Sequence, residues 1–599
     1  MILQTIDWLL IGAFFAVSLV VGISVARRAG RSTAEFFASG RNMPWWLLGV
    51  SMVATTFSAD TPNLVTDMVR THGVAGNWLW WAFLLTGMVT VFIYARLWRR
   101  SGVLTDIEFY ELRYSGKAAG FLRGFRALYL GVFFNVAIMA TVMLAAIKIG
   151  GVILGIPPFE TVFITSVVVV IYTMLGGLRG VLITDFFQFV IAMIGAIIAA
   201  VVVLNLPQVG GLEGLLTNPN VAGKLSILPD FSDGSLLMTV FLIPLAVQWW
   251  SVWYPGSEPG GGGYVAQRML AAKDEDHAVG ATMLFNVTHY ALRSWPWIIV
   301  ALASLVVFPD LAALREAFPN MPAEIVKNDM AYPAMLTFLP AGLLGIVVAS
   351  LVAAVMSTIS THLNWGASYI VNDFYKRFIS REPSERQLVW VGRISIAVLM
   401  VLAMAVALLL RNALQAFHIL LQIGAGTGLL FLLRWFWWRI NAFSELAAMV
   451  ISFLAAVYFE FVHVHLGLPE LVEWQRLVIG VGVTTVGWVA VTLLTKPTEM
   501  RTLIGFYKLI RPGGPGWRRV LRVAEREGEL PGEAEAAWDV PRGLLNVLMG
   551  LVLVYSMLFA TGFWLYSNTV PAVVTTATGL LAALFLTLTW KNHRSRGGA

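Results

Sequence analysis

The chain has 599 residues, of which 58% are hydrophobic and 13% are Asp, Glu, Lys or Arg, and its formal net charge is +7. Because this charged fraction is about half that of an ordinary globular domain, the composition excludes a soluble enzyme and a nucleic-acid-binding protein. The absence of cysteine excludes disulfides, thiolate metal sites and cysteine nucleophiles.

Apolar runs of about 20 residues, each long enough to cross about 30 Å of hydrocarbon as a helix, recur along the whole chain. We therefore predict an all-α polytopic membrane protein with about fifteen transmembrane helices. These predicted helices, called spans 1 to 15 in chain order, cover residues 6–26, 45–70, 77–98, 121–151, 159–178, 181–206, 235–268, 279–308, 341–373, 386–410, 413–438, 443–464, 474–495, 543–567 and 571–590.

The basic residues predict the orientation of the spans. If the N-terminus lies outside, 33 of the 41 Lys and Arg residues fall in inside segments and 8 do not. This bias follows the positive-inside rule. We therefore predict an integral, multi-pass protein of a bacterial inner membrane, with its N-terminus outside and its C-terminus in the cytosol.

Two spans contain residues that interrupt helices. Span 2 holds Ser-Ala-Asp-Thr-Pro at 58–62, and span 7 holds a Pro- and Gly-rich run at 255–263. Unwound backbone in a membrane is tolerated only where it faces protein, water or a ligand. If both helices are broken, spans 2–6 and 7–11 form two five-helix units of inverted topology, each with a broken first helix. This arrangement is typical of a secondary-transporter binding site. Two unrelated kinks are the alternative interpretation.

Span 9 carries hydroxyl side chains on one helix face, because Ser357, Ser360 and Thr361 are spaced i, i+3, i+4. Hydroxyl and carbonyl oxygens are hard ligands that suit Na⁺. Ala354 and Thr358 adjoin that face, and the break in span 2 would add free carbonyls at Ala54 and Phe57. Alternatively, these hydroxyls bond back to their own helix or pack against neighbouring helices.

Two ionisable residues inside the spans are candidates for function. Asp185 lies a turn inside span 6, where an ionisable group is costly, unless it only pairs with Arg179 at the cytosolic interface. Arg293 lies near the centre of span 8. It would either bind an anionic group of a solute or pair with Asp60.

Aromatic side chains flank the second interruption. Trp250 precedes it and Tyr264 follows it, so either ring could stack on a solute or close over it. Packing and interface anchoring are the alternatives. Gln422 in span 11 is a further solute candidate. The longest polar stretch, 496–542, is either a solvated cytosolic linker or a segment that binds the lipid surface.

Four segments of the chain resemble the sodium:solute symporters, a family that includes sodium/glucose, sodium/proline and sodium/sialic acid transporters. They are YTMLGGLRGVLITDFFQ at 172–188, GYVAQR at 263–268, AAVMSTISTHLN at 353–364 and FLLRWFWWRIN at 431–441. The resemblance runs from about residue 5 to about residue 500. It implies a leucine-transporter-type fold, with ten core helices in two inverted repeats and extra helices outside.

The resemblance also implies particular ion ligands. The sodium site common to the family uses carbonyls of the first core helix with a carbonyl and two hydroxyls of the eighth, at positions that fall on Ala54, Phe57, Ala354, Ser357 and Thr358. A second sodium, held by some members, would use the positions of Asp185, Ser357, Ser360 and Thr361.

The solute pocket departs from that of the sugar transporters. Gly262 and Gly263 stand where those transporters have an Asn-Gln pair, so a small polar or anionic organic solute is expected as readily as a sugar. The candidate solute-binding residues are Thr56, Asp60, Thr61, Trp250, Tyr264, Arg293 and Gln422.

The predicted function is sodium-coupled symport, in which a non-enzymatic carrier imports the solute by alternating access. Its partners are the sodium ion, the small-molecule solute and the lipid bilayer, and no nucleic acid. Two alternatives stay open: a proton-coupled or uncoupled carrier of the same fold, and a membrane sensor built on a transporter fold.

The predicted organisation has six parts. They are a peripheral first helix with a cytosolic loop (1–44), the first inverted repeat (45–208), the second inverted repeat (209–440), peripheral spans 12 and 13 (441–495), a cytosolic linker (496–542), and spans 14 and 15 with the tail (543–599).

Overall fold

The computed structural model of the chain describes residues 3–29, 32–251, 258–319, 326–380, 382–410, 424–529 and 538–594. Within these ranges the secondary structure is helical, apart from one isolated bridge between Met43 and Ala272. The predicted all-α fold is thereby confirmed. Ten of the described helices are long and apolar enough to cross a membrane, and three shorter apolar helices accompany them. The total of fifteen spans stays a prediction.

The first predicted repeat follows a peripheral helix, and its helices are long. The elements are α1 (Thr5–Ala29), α2 (Trp45–Thr56), α3 (Asp60–His72), α4 (Val74–Ser101), α5 (Gly116–Leu154) and α6 (Pro158–Leu204). Helix α6 is too long for one crossing, because its 47 residues would extend about 70 Å as a straight helix.

Helix α6 doubles back at Gly177, where φ is 53° and ψ is −159°. Tyr172 and Asp185 would lie about 20 Å apart on a straight helix. Instead, the Tyr172 hydroxyl donates to Met356 O at 3.0 Å, and Asp185 Oδ1 accepts from Ser357 Oγ at 2.7 Å. Two arms of α6 therefore pack side by side against one helix, and they correspond to predicted spans 5 and 6.

The second predicted repeat and the peripheral helices follow. The elements are α7 (Gly234–Trp250), α8 (Gly263–Ala271), α9 (Glu275–Val307), α10 (Leu343–Ile379), α11 (Glu385–Leu409), α12 (Gly428–Leu433), α13 (Ala442–Val462), α14 (Glu473–Leu494), α15 (Met500–Ile510), α16 (Arg518–Arg526), α17 (Val540–Leu565) and α18 (Thr569–Arg594). Residues 413–423 of predicted span 11 lie outside the described residues, and α12 is the helix in its described part.

The first interruption is present but begins earlier than predicted. Helix α2 ends at Thr56 and α3 begins at Asp60, while Phe57 between them has φ −90° and ψ 75°. Pro62 lies in the first turn of α3, where proline leaves no intrahelical hydrogen bond unmade. The unwound residues are therefore 57–59, and the predicted interruption at 58–62 is wrong in its second half.

The second interruption lies between α7 and α8, of which residues 258–262 are described. Gly260 and Gly261 have φ values of 85° and 93°, which glycine adopts without steric cost. A Cβ at Gly261 would also lie 2.6 Å from the Met269 methyl carbon. The glycines thus allow the unwound chain to turn tightly against α8.

Contacts between distant segments show which helix ends share a side. Met43 N donates to Ala271 O at 3.1 Å, and Lys273 N donates to Met43 O at 3.1 Å. Thr33 N likewise donates to the Glu385 carboxylate at 2.7 Å. We call this side, which also carries Arg100 at the end of α4, the basic face; it corresponds to the predicted cytosolic side.

The starts of α1 and α10 share the other side. Asp7 Oδ1 accepts hydrogen bonds from Gly342 N and Gly345 N, both at 2.7 Å, and so caps α10 from another helix. Because the two helices start on the same side, an even number of membrane crossings must separate their starts. The eight predicted spans 1 to 8 satisfy this condition.

The stretch predicted as a linker is folded. Helices α15 and α16 pack on the basic face, and Trp517 between them is fully buried. Its ring stacks on Phe506 at 5.6 Å, and its Nε1 donates to Trp435 O at 3.0 Å. The prediction of a solvated linker is wrong for 500–526, because Val520, Leu521 and Ala524 bury one face of α16.

Candidate functional site

The first predicted sodium site lies where α2 and α10 meet. Thr358 Oγ1 lies 2.8 Å from Thr55 O and 3.1 Å from Ala354 O. At the last turn of α2, Phe57 N donates to Ala54 O at 3.1 Å. Neutral carbonyl and hydroxyl oxygens thus converge beside the unwound residues, and such oxygens suit a hard monovalent cation. Thr55 contributes to this contact but was not among the predicted ligands.

The predicted ligands of a second sodium lie one turn away on α10. Ser357 Oγ donates to Asp185 Oδ1 at 2.7 Å, which joins α10 to the second arm of α6. Thr361 Oγ1 lies 3.0 Å from Thr55 Oγ1. Ser360 Oγ donates to Ser357 O at 3.0 Å within its own helix. Ser357 therefore lies between the two predicted sodium sites.

A guanidinium lies among these second-site residues. Arg268 Nη2 lies 3.6 Å from Asp185 Oδ2 and donates to Thr361 Oγ1 at 2.7 Å and to Ser51 Oγ at 3.1 Å. The predicted salt bridge between Asp185 and Arg179 is therefore wrong. Helix α8, not the turn of α6, supplies the cation, because it inserts Arg268 between α2 and α10.

A cavity of about 50 Å³ lies beside the second interruption, between α4, α8 and α9. Tyr264 from the start of α8 lines it, while its closing over a solute stays a prediction. The other polar residues in its wall are Thr86, Thr90, Glu258, Thr282, Asn286, His289 and Tyr290. Of the predicted solute-binding residues that the structure describes, only Tyr264 lines this cavity.

Two buried acceptor atoms in the cavity wall have no hydrogen-bond partner within the part of the chain that the structure describes. They are Glu258 Oε2 and Asn286 Oδ1. Gly87 and Gly262 lie against these two side chains, and a Cβ at either glycine would overlap them. Since buried acceptors need donors, the cavity wall is suited to a ligand that carries hydroxyl or amine groups.

Arg293 lies behind this wall, next to the first interruption. Its Nη1 donates to Thr56 Oγ1 at 3.2 Å, its Nη2 lies 3.2 Å from His289 Nε2, and its guanidinium is 5.3 Å from the Trp297 ring centroid. Thr56 Oγ1 in turn lies 2.9 Å from His289 Nδ1. Arg293 is thereby linked to the cavity through His289, while a direct role in binding an anion stays a prediction.

The remaining predicted solute residues lie at the two interruptions. Thr61 Oγ1 donates across the first one to Thr56 O at 3.4 Å, and Asp60 Oδ1 is buried without a hydrogen-bond partner among the described residues. Trp250 lies at the end of α7, where its carbonyl abuts Gly428 of α12. Gln422 falls outside the described residues.

A cluster of ion pairs, which we call the barrier, adjoins the cavity at Glu258. Arg126 of α5 pairs with Glu258 at 3.0 Å and with Glu445 at 3.5 Å, and Arg434 pairs with Glu445 at 3.3 Å. These side chains are almost fully buried, so separating the pairs without hydrating the charges would leave costly uncompensated charges. Glu258 thus belongs both to the cavity wall and to this barrier.

A second group of ion pairs, on the basic face, centres on Glu111, which lies in the loop after α4, outside the membrane-spanning segments. Glu111 pairs with Arg123 at 2.8 Å and with Arg377 at 3.0 Å. Although burial opposes ionisation, hydrogen bonds from Arg377 and Arg123 hold the pKa of the Glu111 carboxyl below its ordinary value. The loop after α4 is thereby tied to the end of α10.

Comparison with known proteins bears on the function of this site. The family model described as sodium:solute symporter family matches residues 36–452. A sodium/glucose cotransporter of Vibrio parahaemolyticus is 26% identical over 481 residues, which cover 77% of this chain and 86% of that protein. A sodium/mannose cotransporter of Bos taurus is 26% identical over 494 residues, which cover 77% of this chain and 80% of the relative.

Among solved structures, a substrate-bound, outward-open Na⁺-coupled sialic acid symporter aligns with a TM-score of 0.66 and 20% identity. The alignment covers 83% of this chain and 99% of that structure. This likeness establishes the transporter fold that the paired interruptions and the doubled-back α6 indicate.

Proposed function

Because the chain belongs to the sodium:solute symporter family, we propose that it imports a small polar solute rich in hydrogen-bond donors by alternating access. Membership makes the protein a sodium-coupled symporter of small solutes, and therefore a transporter rather than an enzyme. It is an integral, multi-pass membrane protein whose partners are sodium, a small solute and the bilayer.

The observation that carries the solute class is the pair of buried acceptors, Glu258 Oε2 and Asn286 Oδ1, in the wall of the cavity. Hydroxyl or amine groups of a ligand would satisfy both atoms. A ligand carboxylate would instead face the Asn286 acceptor and the negative charge of Glu258. Relatives named for glucose and mannose support a polyhydroxylated solute. Of the two predicted classes, polar and anionic, these features favour the polar one.

For the ion, we propose one sodium at the oxygens of Ala54, Phe57, Ala354, Ser357 and Thr358. A cation there would hold α2 against α10 and so favour the conformation in which the neighbouring solute cavity is formed. Each sodium that enters down the membrane potential adds about 2.3 kcal/mol per 100 mV to the driving force. A second sodium at Asp185, Ser360 and Thr361 would have to displace the guanidinium of Arg268.

We also propose the membrane arrangement and the division into repeats. The basic face would be cytosolic by the positive-inside rule, in a bacterial inner membrane, with the N-terminus outside. Residues 45–208 and 209–440 would form the inverted repeats. Rocking of one repeat against the other would open the barrier around Glu258 when the solute is released.

Uptake into proteoliposomes that contain the purified full chain tests this proposal. An inward sodium gradient is compared with a proton gradient at equal potential, using labelled sugars and polyols and, as competitors, small amines and carboxylates. We expect sodium-dependent uptake of a polyhydroxylated solute that carboxylates do not inhibit. Uptake driven by protons without sodium, binding without uptake, or competition by carboxylates alone would each contradict it.

A further inference from the structure

A second cavity, of about 160 Å³, lies at the basic face, between the core and the last two helices. Its walls come from the end of α4, the loop after α15, the start of α17 and the end of α18. A water molecule takes up about 30 Å³ in the liquid, so this cavity has the volume of about five waters.

The cavity has a basic end. Arg96, Arg100, Arg511 and Arg542 line it, together with one acidic residue, Asp539. Arg96 and Arg100 are already paired with acidic residues at the start of α9, at 3.4 and 3.0 Å. Arg511 and Arg542 are exposed, and neither forms an ion pair within the described ranges. The basic end therefore has positive charge left for an anion.

The same cavity offers hydrogen-bond acceptors next to that charge. Asn546 Oδ1 is buried without a hydrogen-bond partner among the described residues, one turn along α17 from Arg542. The Asp539 carboxylate lies on the preceding turn. An occupant with both a phosphate and hydroxyl groups would satisfy the arginines and these acceptors together.

The cavity also has apolar lining. Phe92, Ile93 and Leu586 supply it, and they precede the basic-face ends of α4 and α18. Beside it, Leu544 and Leu588 are 53% and 54% exposed. Acyl chains that leave the cavity would lie on these side chains, whereas a free phosphate compound would gain nothing from them.

We propose that this cavity binds the glycerophosphate headgroup of an anionic phospholipid, such as phosphatidylglycerol, and so holds the α17–α18 hairpin against α4. Basic pockets between membrane helices on the cytoplasmic side attract such headgroups. No residue that lines this cavity also lines the solute cavity.

Native mass spectrometry of the full chain in detergent tests the proposal, with dioleoyl phosphatidylglycerol and dioleoyl phosphatidylcholine as probes. We expect one phosphatidylglycerol to bind in preference to phosphatidylcholine. The double variant Arg511→Gln/Arg542→Gln should lose roughly 10-fold in that affinity. The matched control is Arg518→Gln/Arg522→Gln, which removes the same charge from exposed positions of α16 outside the cavity.

Three outcomes would overturn the proposal. The first is equal retention of the two lipids by the unaltered chain. The second is an equal loss in the cavity variant and the control, which would indicate non-specific attraction to the basic face. The third is displacement of the lipid by an equal concentration of glycerol 3-phosphate, which would assign the cavity to a free phosphate compound.

Discussion

Arg268 Nη2 lies 3.6 Å from Asp185 Oδ2, and both side chains are fully buried. The pair connects α8, which follows the second interruption, to the second arm of α6. Ser51 of α2 and Ser357 of α10 complete the contact, because each donates a hydrogen bond to the Asp185 carboxylate, at 2.5 and 2.7 Å. One ion pair thus joins four elements around the proposed sodium site.

Asp185→Asn should be strongly destabilising. It leaves the Arg268 guanidinium buried without its counter-charge, which typically costs about 3–5 kcal/mol in the free energy of unfolding. The double variant Asp185→Asn/Arg268→Gln removes both charges and should recover most of that loss. Thermal unfolding of the two variants in detergent measures the difference. Equal melting temperatures for the single variant and the unaltered protein would show that the pair does not contribute.

The same pair predicts the sodium stoichiometry. Because the guanidinium already neutralises Asp185 and contacts Thr361, a second sodium would add an uncompensated charge to a buried site. We therefore expect uptake to depend on sodium with a Hill coefficient near 1. Cooperative dependence, together with two sodium ions per solute in flux measurements, would contradict the one-sodium proposal.

Thr358→Ala should raise the sodium concentration required for half-maximal uptake. The hydroxyl lies 2.8 Å from Thr55 O and 3.1 Å from Ala354 O, and loss of such a buried oxygen costs about 1–3 kcal/mol, or roughly 5- to 150-fold in affinity. Thr358→Ser should retain most of the affinity. Ser350→Ala is the matched control, since among the described residues the Ser350 hydroxyl donates only to Val347 O, on its own helix. A similar sodium dependence in all three variants would remove Thr358 from the site.

Much of this arrangement follows from the sequence, because the signals are local. Pro and clustered Gly disfavour a continuous helix, so the interruptions near Asp60 and Gly261 are predictable within a few residues. The spacing of Ser357, Ser360 and Thr361 fixes a shared helix face without any tertiary information. Gly176 and Gly177 likewise mark the reversal in α6.

Other features depend on contacts that no local pattern encodes. Arg268 lies within the GYVAQR segment at 263–268, but nothing in that segment identifies Asp185 as its partner. Glu258 and Asn286 reach one cavity from different helices, so their roles appear only when the helices pack. The folded segment around Trp517 has a recognisable pattern in the sequence, because Val520, Leu521 and Ala524 follow a helical period. The nearby Pro- and Gly-rich loop makes that period harder to recognise.

Gly87→Ala should impair solute binding more than sodium binding. A Cβ at this position would overlap Asn286 Oδ1 in the wall of the proposed solute cavity, so the amide would have to move away from the ligand. We expect at least a 10-fold rise in the KM for solute, equivalent to about 1.4 kcal/mol, while half-saturating sodium at high solute changes little. Gly151→Ala is the control, because a Cβ there meets no atom within 4 Å. Equal KM values for the two variants would place the solute elsewhere.

Asp7→Ala should weaken the docking of α1 without changing the sodium dependence. Asp7 Oδ1 accepts two backbone hydrogen bonds at the start of α10, from Gly342 N and Gly345 N. Loss of such a cap costs about 0.5–2 kcal/mol, and more where the carboxylate is buried. The matched control is Asp310→Ala, an exposed cap that accepts from Ala313 N at 2.8 Å. Chemical unfolding should show a larger loss for Asp7→Ala than for the control, with Asp7→Asn between them. If the control lost as much, the interhelical cap would not hold α1 in place.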